Sequence, residues 1–93
     1  MRDYRPDDFA DAVGGDFIIA GTDPAIALTL KAITPIAHSP RDGGGFALQF
    51  LGPSAPIIPQ GTLGLNHGDE EHVIFVVATA SRPDGTDYQA IFN

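Results

Sequence analysis

The sequence predicts an all-β fold, a small antiparallel barrel or sandwich of about six strands with one short N-terminal helix. Three observations carry this. From Asp16 onward, runs rich in β-branched and aromatic residues recur at intervals of roughly ten residues, the spacing of short strands in small β-domains. Gly, Pro, Asp and Asn cluster between those runs, where their backbone preferences suit turns. Within the runs, apolar residues alternate with a period of two, and no long 3.6-residue pattern interrupts them. The 93 residues fit one β-domain, 1–93, because a chain this short buries only roughly two thirds of its unfolded surface and cannot support two cores.

Each element has its own reason. In "PDDFADAV", Pro6 to Val13, the proline fits a first helical position, Asp7 and Asp8 complement the helix dipole, and Gly14-Gly15 stops the turn. Phe9 and Val13 share a face at i,i+4, so this segment is expected to lie as a lid over one end of the sheet. "DFIIA", Asp16 to Ala20, is a strand that runs into the turn residues Gly21 to Pro24. Ala25 to Ile33 places Ile26, Leu28 and Leu30 on one face and Ala27, Thr29 and Lys31 on the other. Ile33 to Gly45, with two prolines and three consecutive glycines, reads as an exposed connection.

"FALQFLG", Phe46 to Gly52, resumes the alternation with Phe46, Leu48 and Phe50 inward and Gln49 outward. Pro53 to Pro59 is a second proline-rich connection. The strands "QGTLGLNH", with Leu63 and Leu65 inward, "EHVIFVVAT" and "TDYQAIFN" follow, the last two joined by a tight turn at "SRPDG". Val73 to Ala78 is apolar on both faces, which predicts a strand covered on two sides, in the middle of the barrel or under a partner subunit. Tyr88, Ala90 and Phe92 alternate to the end, so the C-terminus is expected to be tied into the sheet.

Composition narrows the function. An apolar fraction of 43% with 18% charged residues fits a folded globule. A net charge of -7, with the five basic residues scattered, opposes phosphate-backbone and anionic membrane partners, so no nucleic acid and no membrane is expected. No cysteine is present, which removes disulfides, thiolate metal sites and cysteine nucleophiles. The N-terminus lacks the apolar run of a signal peptide, and the expected location is the cytoplasm, or an exported assembly entered without a cleavable signal.

No catalytic constellation emerges. Ser39, Ser54 and Ser81 lie in proline-bearing loops outside any G-x-S-x-G elbow, and His38 and Ser39, as chain neighbours, point apart. The carboxylates of "RPDDFADAV" belong to a helix start, and the glycines of "GGDF" and "GGG" lack the strand-loop-helix setting of a phosphate site. "DGTD", Asp84 to Asp87, lacks the distant glutamate and flanking helices of a calcium loop. The chain therefore reads as non-enzymatic, with no cofactor and no assigned metal.

Three surfaces remain as candidates. The exposed apolar turn "APII", Ala55 to Ile58, and the two-faced strand Val73 to Ala78 suit a protein partner or self-association. Gln60, Asn66 and His67, beside Ile57 and Ile58, could serve a small ligand or carbohydrate at a barrel mouth, and Gln60 is the residue of "IIPQGTLGLNH" that turn chemistry leaves unexplained. "HGDEEH" sets His67 and His72 around three acids, an alternative metal-dependent site, although a hairpin tip accounts for the same composition.

The segments "GGFALQFLGP", "IPQGTLGLNH", "VIFVVA" and "DYQAIFN" resemble a family of small bacterial proteins of unknown function, with Gly-Phe-x-Leu-x-Phe, Pro-Gln-Gly-Thr and Tyr-x-Ala-x-Phe-Asn motifs. The resemblance covers Gly45 to Asn93, and more loosely "DFADAVGGDF". Family members often carry an aromatic where Leu63 stands and a proline where Ala78 stands. Their genes commonly lie beside those for phage-tail-collar-like, microcystin-dependent-type proteins. The resemblance thus implies a structural or interaction module, part of or accessory to a phage-tail-like assembly.

Overall fold

The computed structural model describes residues 4–22, 24–36 and 45–92. Six antiparallel strands, β1 (Asp16–Ile19), β2 (Ala27–Ile36), β3 (Gly45–Gly52), β4 (Gly61–His67), β5 (Glu70–Arg82) and β6 (Gly85–Phe92), close into a barrel in the order β1-β2-β3-β6-β5-β4. The ring is completed where Ile18 and Ile19 pair with Asn66 and Leu65. Of the two architectures the sequence allows, the barrel forms.

Alternation decides what fills it. Leu28 and Leu30, Phe46, Leu48 and Phe50, and Tyr88 and Ala90 all point inward with at most 1% of their surface exposed. Barrels of about eight strands have just enough interior for side chains, so six strands leave less, and here large apolar groups occupy it. The described residues contain no helix long and apolar enough to cross a membrane.

Two-residue turns fix the register of the last three strands. His67 opposes Glu70 across Gly68-Asp69, with Gly68 at φ +61°, and Arg82 opposes Gly85 across Pro83-Asp84. The "SRPDG" expectation is met. β5 runs longer than its alternating core suggests, to Arg82, with an irregularity between Ala78 and Ala80.

Three elements differ from their sequence reading. Ile33–Ile36, expected in a connection, extends β2 and pairs with β3, Pro35 opposite Phe46. β1 reaches only Thr29 in its pairing with β2, so Pro35 stands on a stretch whose other edge is free of β1, where a missing N–H removes no ladder bond. The rest of that predicted connection, residues 37–44, lies outside the described residues, as does Asp23 of the first turn.

The N-terminal segment is the second. It forms two 3-10 turns, Pro6–Asp8 and Ala10–Ala12, and the Asp8 carboxylate accepts the Arg5 N–H at 2.8 Å. At three residues per turn, positions four apart no longer share a face. Phe9 is fully buried while Val13 is 47% exposed. The segment still closes one end of the barrel, with Phe9 set among Tyr4, Phe17, Phe46 and Phe92 at ring separations of 5.4 to 6.4 Å.

The third is β5. Ile74 and Val76 point inward as expected, but the outward side chains of Val73 and Phe75 are 60% and 53% exposed in this chain. The opposite barrel end is closed by the Pro53–Pro59 connection, where Ile58 packs against the core and its N–H donates to the Tyr88 hydroxyl at 2.9 Å.

Candidate functional site

The sequence singles out residues that the barrel sorts to two ends and a side. β4 rises over about 20 Å, and Gln60 precedes it at the loop end while His67 closes it at the lid end. Asn66 and His67 are successive, so their side chains leave opposite faces of the sheet. Gln60 is exposed, and among the described residues no hydrogen bond ties its amide to a neighbouring strand. Ile57 is 51% exposed while Ile58 turns into the core. Gln60, Asn66 and His67 are thus not brought together.

The two histidines both point inward at the lid end, because each lies two residues from an inward side chain, Leu65 or Ile74. His67 stacks on Phe17 with ring centroids 4.6 Å apart and planes 16° from parallel. Its Nδ1 lies 3.0 Å from the Asp16 carbonyl oxygen. A carbonyl only accepts, so this bond places the proton on Nδ1. His72 is 3% exposed, in a triangle of rings with Tyr4 and Phe9, with Nδ1 3.2 Å from the Tyr4 hydroxyl and Nε2 3.4 Å from the Glu70 carboxylate.

Each imidazole is therefore engaged with its own partners. Among the described residues, no group of three His, Asp or Glu side chains is placed to hold a metal ion. The arrangement knits the lid to the β4–β5 hairpin, since Tyr4 comes from one and His72 from the other.

The opposite end carries one ion-pair cluster. The Arg82 guanidinium donates to both oxygens of Asp87, Nη2 to Oδ1 at 2.9 Å and Nη1 to Oδ2, and its Nε lies 3.4 Å from Asp84. The hydrogen bond from Arg82 holds the Asp87 carboxyl below the usual carboxylate range and raises the Arg82 guanidinium in turn. Both groups are solvent-exposed, so this is a local clasp on the hairpin and a minor stabiliser.

The side of the barrel is the remaining candidate. Outward from β5 stand Val73 and Phe75; Gly64 pairs with Val73 and Thr62 with Phe75 on β4. On β6, Ile91 is 58% exposed and pairs with Ala47, itself opposite Thr34. The β5–β6 pairing starts at Val77 and Gln89, two residues from Phe75 on one strand and two from Ile91 on the other. Ile18 of β1, 37% exposed, pairs with Asn66 of β4 and stands three strands round the ring from Ile91. The result is a small exposed apolar pair, Val73 and Phe75, on the outer face of β5, with the Glu71 carboxylate reaching over the neighbouring Gly64.

Against this geometry, comparison with protein families is informative at one level. The sequence model of a family described as a domain of unknown function, DUF6916, matches residues 4–92. The chain belongs to the DUF6916 family. No curated protein and no solved structure matches it. The DUF6916 match runs from Tyr4 of the lid to Phe92 of β6, so lid and barrel both fall within the family's shared extent. Within this DUF6916 chain, sequence reasoning found the Val73–Ala78 strand but did not single out Ile18 and Ile91, exposed on β1 and β6. A signal exists for Ile91: it stands between two core-facing residues in "AIF", so an apolar residue occupies the outward position too.

Proposed function

We propose that this DUF6916 domain is a non-enzymatic protein-interaction or structural module, part of or accessory to a phage-tail-like assembly. The observation that carries the reading is the exposure of Val73 and Phe75 on the outer face of β5, on a barrel whose interior is already filled. Large apolar groups held in water on a rigid sheet are costly unless a partner covers them, and patches of this kind mark contact sites on soluble proteins.

The filled interior supports a surface role over an internal ligand. A sheet closed into a barrel offers few free strand edges, so side-chain contact with its outer face is the available mode, in preference to strand addition. The gene neighbourhood implied by the motif resemblance supports a tail-like setting for that contact.

The test is a pull-down with the purified product of the adjacent gene, using the wild type, Phe75→Lys and Gln60→Ala. The reading expects capture by the wild type and by Gln60→Ala and a loss of at least tenfold with Phe75→Lys. Equal capture by all three, or loss only with Gln60→Ala, refutes the use of this face.

A further inference from the structure

We infer that Pro35 guards an open strand edge: it stops the exposed overhang of β2 from adding the same strand of a second copy. The inference stands apart from the β5 face. β1 pairs with β2 only at Ile18–Ala27, Phe17–Leu28 and Asp16–Thr29, whereas β2 stays paired with β3 as far as Ile36, opposite Gly45. Gly14 and Gly15 extend the cover by one residue, through the Leu30 C=O and N–H. Beyond Leu30, no other strand among the described residues lies along the outer edge of β2.

Register decides which backbone groups that edge presents. Leu30 turns both its N–H and its C=O to the two glycines, so its pair with Phe50 exchanges no bonds with β3. Bonded and unbonded pairs alternate along β3, and Leu48 and Phe46 lie two and four residues from Phe50. Their partners, Ile33 and Pro35, therefore face outward as well. The irregularity between Leu30 and Ala32 sets this phase. Without the extra residue at Lys31, Pro35 would face β3 and the ladder would lose a bond.

The overhang is otherwise open to pairing. Ala32 to Ile36, "AITPI", carries no charge and is rich in β-branched side chains, a composition that favours strand-on-strand association. When two such overhangs meet antiparallel about a two-fold through Thr34, Ile33 of one stands opposite position 35 of the other. An ordinary residue at 35 would both accept from the facing Ile33 N–H and donate to its C=O. Pro35 only accepts, so half the bonds between these positions are missing and each Ile33 C=O is left against a pyrrolidine ring. Natural edges are blunted by bulges, lysine and proline. Here the bulge and Lys31 stand at the start of the overhang, which leaves its middle to Pro35. β5 repeats the device where it outruns β4 past Val76: its irregularity falls between Ala78 and Ala80, and it ends on Arg82.

Sedimentation equilibrium of the full chain at about 0.15 M salt, from micromolar to millimolar concentration, compares the wild type with Pro35→Val and Pro35→Thr, with folding checked by circular dichroism. Both substitutions restore the N–H on residues that suit a strand. Each is expected to strengthen self-association at least tenfold, the mass rising toward twice the monomer's 9.8 kDa, with hydrogen exchange at the Ile33 amide slowed at least tenfold. Adding Thr34→Lys to Pro35→Val sets like charges face to face on the two-fold and is expected to return association to the wild-type level. Pro53→Val, in the loop across the opposite barrel end, is expected to leave association unchanged. Unchanged association in both Pro35 variants, association that survives Thr34→Lys, or an equal gain from Pro53→Val overturns the inference. Loss of the fold in both Pro35 variants, or a wild-type Ile33 amide as protected as those bonded within the ladder, contradicts a free edge and overturns it too.

Discussion

The Tyr88 hydroxyl accepts the backbone N–H of Ile58 at 2.9 Å, joining the middle of β6 to a loop thirty residues earlier. Tyr88 is 1% exposed, so its oxygen reaches the loop from inside the barrel wall. With Ile58 packed on the core and the Thr86 hydroxyl 3.5 Å from the Ser54 carbonyl, this bond holds the Pro53–Pro59 segment across the barrel end. Tyr88→Phe keeps the ring and removes the acceptor, leaving a part-buried N–H unpaired. The expected cost is about 1 kcal/mol in urea denaturation, with faster hydrogen exchange at the Ile58 amide.

The lid end depends on Phe9. Its ring is fully buried and lies 5.4 Å from both Tyr4 and His72. Phe9→Ala empties that position and is expected to destabilise the fold by about 3–5 kcal/mol, read as a lower urea midpoint. Val13→Ala removes an exposed side chain and should shift the midpoint little.

Close packing predicts a second core sensitivity, at a glycine. A Cβ on Gly52 would meet Leu28 Cδ2 at 2.7 Å and Tyr88 Cε2 at 3.0 Å, both fully buried side chains with little room to yield. Gly52→Ala is expected to cost about 1–3 kcal/mol in the same assay. Gly61→Ala, where nothing lies within 4 Å of the added carbon, is the matched control.

The Arg82–Asp87 clasp has a pH signature. The folded-state carboxyl is depressed relative to the unfolded chain, so its stabilising contribution is complete above the unfolded value of about 3.9 and fades as pH falls through the lower folded value. Carbon-13 titration should find Asp87 ionising below the ordinary aspartate range, and Arg82→Gln should move it upward. Because both groups are exposed, the change in overall stability between pH 7 and pH 5 is expected to be negligible.

The barrel was largely legible in the alternation. Phe46, Leu48 and Phe50, and Tyr88 and Ala90, take the inward positions that a period of two assigns them. Closure was not legible, because period-two patterning serves barrels and sandwiches alike and the deciding pairs, Ile18–Asn66 and Ile19–Leu65, are set by long-range register. β2 was read short because Pro35 resembles a strand terminator, and only the short reach of β1 makes its position tolerable. His72 was read within the strand "EHVIFVVAT" and weighed with His67 as an alternative metal site, yet its place two residues before Ile74 on β5 already put it on the inward face.

The apolar character of both faces of Val73 to Ala78 was the one site-level signal that the sequence displayed. It predicts a covered outer face, and the single chain leaves Val73 and Phe75 uncovered. The most direct measurement is photo-crosslinking with benzoylphenylalanine placed at position 75 and, separately, at position 57, in cells expressing the chain with its adjacent genes, the adducts being identified by mass spectrometry. The account predicts a protein adduct at position 75, to a second copy or to the adjacent gene product, and none at position 57. An adduct at position 57 with none at position 75 would contradict it.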